Sequence, residues 1–250
     1  MRRRWPGSAA LVGAVLTASL GTMPAAGAAP TARTGLSTMS PRAASVSSDV
    51  SQAQRRLNAL HCNAGPVDGR RGTWTRSALM RFQSRHGLPQ NGSLDTRTRS
   101  RLYAATAQRC DVRPVPAASG RGRRIVVSQA QNWVWLVDRA GRVLAQGGIV
   151  DNPGVLRRGS HRTGSYCGRP ARVRRNRSGS LWLDHFVRFA PCGFGFHRIP
   201  RARSNGRQMH ADYLLGTNLT QSHGCIRLSS AMASRLWGFT AGARTVVRVV

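Results

Sequence analysis

Between residues 49 and 110, apolar residues recur every three or four positions, which is the period of amphipathic helices. The first set follows Ser48-Asp49, a pair suited to capping a helix, and comprises Val50, Ala53, Leu57 and Leu60. A second helix is predicted over residues 73–86, ended by Gly87, and a third is predicted to begin at Asp95-Thr96. The pattern predicts a small module of three helices over residues 49–110.

An internal repeat lies inside this module. Thr75-Arg76-Ser77 comes six residues after Gly69, and Thr98-Arg99-Ser100 comes six residues after Gly92. Each copy has the order of a glycine turn followed by a helix. The repeat therefore predicts two tandem turn–helix units.

From residue 124 onward the pattern changes to short β-branched and aromatic runs. Three runs, at residues 124–128, 132–138 and 142–150, predict adjacent hairpin strands joined in part by the turn at Asp138-Arg139-Ala140-Gly141. Further strands are predicted over residues 181–189, 194–199 and 245–250, with one helix over residues 231–239 capped by Ser229 or Ser230. The fold class is thus multidomain α + β, in which a mostly-β domain over residues 124–250 follows the helical module. The Pro- and Gly-containing residues 111–123 are the expected linker.

The N-terminus has the pattern of a secretory signal over residues 1–28. Arg2, Arg3 and Arg4 precede a short apolar run at residues 9–20, and Ala26-Gly27-Ala28 supplies small residues for cleavage. The apolar run is too short for a mature membrane anchor, so no transmembrane segment is expected in the mature chain. Residues 29–48 are predicted to be a flexible tether. We expect a secreted protein outside the cytoplasmic membrane, with the export route, Sec or Tat, left open.

Charge narrows the class of partner. The chain has 39 basic residues, all arginine, against 8 acidic ones, and a formal net charge of +31. Such a field favours anionic partners, of which nucleic acid is the usual first candidate. Export argues against nucleic acid and leaves anionic wall polymers. The histidines show no shared metal-ligand spacing and acidic residues are few, so no metal and no cofactor are expected.

The chain has five cysteines, an odd number for an exported protein. Four cysteines allow three connectivities, and domain logic favours the pairs Cys62–Cys110 and Cys167–Cys192. Cys225 is then left over, within Ser222-His223-Gly224-Cys225. A glycine between an imidazole and a thiol permits a tight turn that brings the base near the sulfur. This arrangement predicts a cysteine nucleophile for acyl transfer.

The helical module resembles the peptidoglycan-binding type 1 module. The matching pattern includes Gln54, Leu57, Gly65, Asp68, Gly69, Thr75, Phe82, Gln83, Gly87, Leu88 and Gly92. Most of these positions are turn or core residues. The resemblance therefore implies a wall-binding role without assigning ligand contacts.

Residues 124–250 resemble the L,D-transpeptidase catalytic domain. The resemblance rests on the hairpin at residues 125–138, on Thr163-Gly164-Ser165-Tyr166 and on Ser-His-Gly-Cys-Ile-Arg at residues 222–227. It implies that Cys225 attacks a peptidoglycan stem peptide, expels the terminal D-alanine and forms a thioester, which an amine of a second stem resolves. Main-chain N–H groups at Gly224 and Cys225 are expected to hold the oxyanion.

The resemblance also implies a histidine base upstream of the motif. His223 is adjacent to the motif glycine, His197 ends a predicted strand and His210 lies in the following loop. Twenty-four residues separate His197 from Ser222 and eleven separate His210 from it, and neither spacing is that of the family. We favour His197, with His210 as the alternative base, and Arg198 leaves the orienting partner open. Ser222 and Arg227 are the expected substrate-binding residues: Ser222 also holds the motif turn, and Arg227 binds a stem carboxylate.

Other functions remain open at this point. Water in place of the amine makes the same site an L,D-carboxypeptidase. A non-catalytic wall-binding protein and a nucleic-acid-binding protein are further candidates, and the last rests on charge alone. The acceptor, the stem chemistry and the oligomeric state are left open by the sequence.

Overall fold

The computed structural model describes residues 41–250, without the side chains of residues 41–45 and of Cys192. The expected signal peptide at residues 1–28 and most of the expected tether lie outside the described residues. The described residues 41–250 belong to one compact unit. Three helices come first: α1 is Pro41–Ala59, α2 is Thr73–Arg85 and α3 is Thr96–Tyr103.

Helix α1 begins earlier than predicted. The proposed cap at Ser48-Asp49 lies inside the helix, which starts at Pro41, so residues 41–48 are helical. Proline is favoured at the first helical position, because its missing N–H has no partner there. Helix α3 begins as predicted, with the Asp95 side chain accepting from the Thr98 N–H.

The module core is closed by its helices and by one disulfide. Cys62 and Cys110 are bonded to each other, with their Cα atoms 5.0 Å apart. Around them the helices bury apolar side chains, among them Ala53, Leu57, Ala78, Leu79, Phe82 and Leu102. Below the size at which a core alone stabilises a fold, such a crosslink contributes substantially.

The internal repeat has a structural basis in two glutamines. Gln54 donates to the Thr75 hydroxyl at 2.9 Å and accepts from the Gly69 N–H at 3.0 Å. One repeat later, Gln83 donates to the Thr98 hydroxyl at 3.1 Å and accepts from the Gly92 N–H at 2.9 Å. In each copy a buried glutamine joins the glycine turn to the next helix, which explains the recurring sequence.

The second part of the chain forms two sheets. The first sheet has the order β3-β2-β1-β10-β4. Its strands are β1 at Arg124–Ser128, β2 at Trp133–Val137, β3 at Val143–Gly148, β4 at Gly159–Arg162 and β10 at Val246–Val249. The predicted hairpins are present, and the C-terminal strand pairs in parallel with β1.

The second sheet carries the motif. Its order is β5-β6-β7-β9, with β8 paired to β6. The strands are β5 at Arg172–Ser178, β6 at Leu181–Arg188, β7 at Gly195–Arg198, β8 at Arg201–Ala202 and β9 at Ile226–Leu228. Helix α4, Ser230–Phe239, follows β9 and is capped by the Ser229 hydroxyl. The pattern did not predict β4, β5, β8 or β9.

The main core of the β domain lies between the two sheets and α4. Its buried members come from β1, β2 and β10 on one side and from β6, β7, β9 and α4 on the other, among them Ile125, Val134, Val187, Phe196, Ile226, Leu236 and Val247. The predicted fold class, a helical module followed by a mostly-β domain, is confirmed. Within the described residues, none of the helices combines the length and apolar character needed to cross a bilayer.

Candidate active site

Parallel pairing of β7 with β9 brings the motif beside the predicted histidine. His197 is in register with Arg227, and Phe196 is in register with Ile226. Cys225 directly precedes β9 and is therefore level with Gly195. Alternate residues share one face of a sheet, so Cys225, Arg227 and His197 lie on the same face. We refer to these three residues and their surroundings as the cleft.

A segment far away in sequence holds the motif at both ends. Val150 and Arg227 exchange two main-chain hydrogen bonds of 3.2 and 2.9 Å. The Ser222 N–H donates to the Asp151 carbonyl at 3.1 Å, and the Asn152 side-chain amide donates to the Ser222 carbonyl at 2.9 Å. Sequence reasoning missed Asp151 and Asn152. Asn-Pro-Gly at residues 152–154 marks a turn, but nothing local identifies its distant partner.

Gly224 is required by geometry. Its φ is +122°, and a Cβ there would lie 2.6 Å from the Phe194 ring. The Ser222 hydroxyl accepts from the Gly224 N–H at 2.9 Å, in the turn-holding role expected for this serine. The same bond occupies the Gly224 N–H, which was expected to bind the oxyanion. Of the two motif amides, that leaves the Cys225 N–H for this role.

Cys225 has a free, partly buried thiol. Its Sγ donates to the Gly193 carbonyl at 3.3 Å. Burial raises the pKa of the thiol, while a hydrogen bond from the Gly195 main chain and the charges of Arg188 and Arg227 act in the opposite direction. The sulfur is therefore protonated at neutral pH, and nucleophilic attack requires a base.

His197 is 2 % exposed and has a defined tautomer. Its Nδ1 is paired with the main-chain carbonyl of Arg198. Because a carbonyl can only accept, Nδ1 carries the proton and Nε2 keeps its lone pair. The orienting partner left open by the sequence is thus a main-chain atom, independent of the residue type at position 198. Burial, together with the charge of Arg227, lowers the pKa of His197 to about 4.

The other two histidines differ from His197. His210 is half-buried; its Nδ1 lies 3.1 Å from the Ala211 carbonyl, and its buried Nε2 has no hydrogen-bond partner. Burial lowers its pKa, and Arg227 contributes to the shift, so His210 also lies near the cleft. His223 is exposed, although Ser222 and Gly224 on either side of it are buried.

Arg227 is buried, with 6 % of its surface exposed. Burial lowers the pKa of its guanidinium. Among the described residues, no carboxylate lies within ion-pairing distance of it and no acceptor takes a hydrogen bond from its side chain. The geometry therefore leaves a fork of donors facing the sulfur side of the sheet, which suits a planar anion such as a carboxylate.

The second predicted disulfide, between Cys167 and Cys192, is described at one of its two cysteines. Cys167 is disulfide-bonded. The side chain of Cys192, its expected partner, lies outside the described residues, so this pairing stays a prediction. In the part of the chain that the structure describes, no three His, Cys, Asp or Glu side chains cluster as metal ligands.

The chain is similar to several solved structures. For the L,D-transpeptidase of Xylanimonas cellulosilytica DSM 15894 the identity is 21%, over 81% of this chain and 93% of that chain, with a TM-score of 0.48. For the L,D-transpeptidase (Yku) of Stackebrandtia nassauensis the identity is 17%, over 80% of this chain and 90% of that chain, with a TM-score of 0.39. For a fused Zn-dependent amidase/peptidase/peptidoglycan-binding domain-containing protein of Clostridium acetobutylicum ATCC 824 it is 17%, over 81% and 95%, with a TM-score of 0.38.

Similarities of this size leave the chemistry to be argued from the site itself. No curated protein sequence matches the chain. A family model matches the helical part of the chain. Residues 46–102 match the family described as "Putative peptidoglycan binding domain", and they include most of α1, all of α2 and all but the last residue of α3.

Proposed function

We propose that the protein is an exported L,D-transpeptidase that cross-links peptidoglycan stem peptides through a thioester on Cys225. The observation that carries the proposal is the free Cys225 thiol, held on the same sheet face as a histidine whose Nε2 is left available. The Ser-His-Gly-Cys-Ile-Arg resemblance supplies the reaction class. The match of residues 46–102 supports peptidoglycan as the polymer on which the enzyme acts.

In the first half-reaction, His197 Nε2 takes the proton from the Cys225 thiol. The sulfur then attacks the carbonyl carbon at the L-centre of the third stem residue, and the Cys225 N–H faces the developing oxyanion. The C–N bond to the terminal D-alanine breaks, and the leaving amine takes the proton from the imidazolium. The product is a thioester between Cys225 and the stem.

In the second half-reaction, an amine from another stem attacks the thioester carbonyl. The C–S bond breaks, the amine gives up a proton to His197, and the cysteine is reprotonated. Arg227 binds a stem carboxylate, since its donors have no partner within the described protein. The resting pair is a neutral thiol and a neutral imidazole, because the pKa of Cys225 is raised and that of His197 is lowered. Proton transfer from the thiol to the imidazole is therefore uphill in the resting site.

The test is mass spectrometry of products from purified protein and a soluble disaccharide-tetrapeptide. We expect a dimer that lacks one terminal D-alanine, and no product from Cys225→Ala. A monomeric tripeptide as the sole product from wild type would replace the transpeptidase with the L,D-carboxypeptidase. Unchanged substrate with wild type would contradict both enzymes.

A further inference from the structure

Arg81 joins the helical module to the segment that leads to the motif. It lies on α2 and is 6 % exposed. Within the module, its Nε donates to the Cys62 carbonyl and its Nη2 to the Asn63 carbonyl, both at 2.9 Å. Its Nη1 donates to the Tyr213 carbonyl and, at 3.2 Å, to the Leu215 carbonyl. One guanidinium therefore binds four main-chain oxygens on two parts of the chain.

Among the described residues, the buried charge of Arg81 is stabilised by main-chain carbonyls. In the described part of the chain no carboxylate pairs with it. Burial lowers the pKa of its guanidinium to about 10, so it stays protonated at neutral pH. A planar fork is the side-chain shape that can satisfy several fixed acceptors at once.

The segment held by Arg81 is also fixed from its other side. The Gly216 N–H donates to the Ile149 carbonyl at 2.9 Å. At Gly148 a Cβ would lie 2.6 Å from the Gly216 nitrogen, so only glycine permits this approach. The ring of Trp74, on α2, stacks on Tyr213 with centroids 5.1 Å apart. Residues 213–216 are thus clamped between α2 and the end of β3.

The same hydrogen bonds continue to the motif. Ile149 precedes Val150, which exchanges two main-chain bonds with Arg227. Asp151 follows and accepts from the Ser222 N–H. From the Arg81 side chain, a path of hydrogen bonds and adjacent residues therefore leads through residues 213–216 and 149–151 to both ends of the motif.

We propose that Arg81 is a positioning residue of the active site, and that the helical module supports the loop between His210 and Ser222 as well as binding the wall. The proposal rests on the proposed function only for its activity readout. A module that served only as a tether would leave the loop unchanged when its contact is broken. A module that positions the loop makes the catalytic geometry depend on α2.

Hydrogen–deuterium exchange on the full chain tests this directly. Arg81→Met removes all four bonds, while Arg81→Lys keeps the charge without the fork and carries the test where the methionine variant does not fold. The matched control is Gln90→Ala. Gln90 also joins the module to the β domain, by donating to the Ala130 carbonyl at 2.8 Å and accepting from Asn132 at 2.9 Å. It lines a cavity with Asn218 and Thr220 of the loop, but among the described residues its side chain makes no hydrogen bond to the loop.

We expect amides of residues 209–222 to exchange about tenfold faster in either Arg81 variant and at the wild-type rate in Gln90→Ala. The proposal would be overturned if the loop amides of the Arg81 variants exchanged at the wild-type rate. It would also be overturned if these amides exchanged as fast in Gln90→Ala as in the Arg81 variants.

Steady-state rates on the soluble disaccharide-tetrapeptide give the second readout. Displacement of the loop is expected to lower kcat about 10- to 100-fold with KM near that of wild type. A rise in KM alone would assign Arg81 to substrate binding and contradict positioning. Should wild type form no product, the proposed function fails, while the exchange experiment still decides the role of Arg81.

Discussion

Two buried arginines, one at the module–domain contact and one in the cleft, differ in the hydrogen-bond acceptors around their guanidiniums. Arg113, at the contact, is 1 % exposed and donates to the carbonyls of Cys110, Gln131 and Arg81 and to the Ser84 hydroxyl, at 3.0–3.1 Å. Arg227, in the cleft, is also buried, at 6 % exposed, but its guanidinium donates to no side chain or carbonyl of the described residues. Burying a cation without acceptors is unfavourable. The comparison indicates that guanidiniums with protein acceptors hold the fold together, and it supports our proposal that Arg227 binds an anionic ligand.

The largest expected effect within the cleft comes from its histidine. His197→Ala should lower kcat/KM by about 10²- to 10⁴-fold, because it removes the imidazole that β7 places on the same sheet face as Cys225. His210→Ala should lower it less than about tenfold. The assay is product formation from the disaccharide-tetrapeptide. Equal losses in the two variants would contradict the assignment of His197 as the base.

The matched pair Arg227→Gln and Arg113→Gln tests the comparison itself. Arg227→Gln should raise KM about 10- to 100-fold and leave the free energy of unfolding unchanged or higher, because no protein bond is lost. Arg113→Gln should destabilise the protein by about 3 kcal/mol, because buried carbonyls lose their donor. Urea unfolding and steady-state kinetics measure both. Destabilisation by Arg227→Gln would show that its donors serve the fold.

Lowering the pH should decrease the free energy of unfolding, and the buried imidazole of His197 in the cleft is one cause. The pKa of His197 is lowered by burial to about 4, while the unfolded chain has the ordinary value near 6.5, so the unfolded state gains the proton first. The contribution of His197 to the free energy of unfolding is complete above pH 6.5. It should fall by up to about 3 kcal/mol as the pH decreases to 4. Urea unfolding across this range measures the loss.

His86, in the module, has its pKa lowered to about 4 as well, and therefore contributes in the same pH window. The variant His197→Gln measures the contribution of His197 separately, because it should remove part of the pH dependence of the free energy of unfolding. An unchanged pH profile in this variant would contradict a buried neutral imidazole at position 197.

The smallest expected effect concerns the resting thiol. Because the pKa of Cys225 is raised by burial, its alkylation by iodoacetamide at pH 7 should be slower than that of free cysteine and should rise with pH past the ordinary titration range. Rapid alkylation at pH 6 would indicate a resting thiolate–imidazolium pair in place of the neutral one.

Much of the fold was predictable from local pattern. The helices of the module, the hairpin of β1 to β3 and the cap of α4 follow from apolar spacing and capping residues. Strand β5 was missed because Arg172–Ser178 has one apolar residue. Among the described strands it pairs with β6 alone, so it lies at the edge of its sheet. Strand β9 was missed because three motif residues gave too short a run. The early start of α1 was missed because alanine and serine fit both a tether and a helix.

The site was predictable where its chemistry is local. Cys225, Ser222 and Gly224 follow from one tetrapeptide, although the use of the Gly224 N–H by Ser222 does not. The support from Asp151 and Asn152, and the bonds of Arg81, depend on main-chain carbonyls distant in sequence. Arginine is so frequent in this chain that its sequence position carries no signal for such a contact.

Intact-mass spectrometry after a rapid acid quench tests the central claim most directly. Wild-type protein mixed with the disaccharide-tetrapeptide should gain the mass of the donor minus its terminal D-alanine, and peptide mapping should locate the adduct on Cys225. The adduct should disappear when an acceptor amine is added. Turnover of the substrate with no adduct on Cys225, or with an adduct on another residue, would contradict the account.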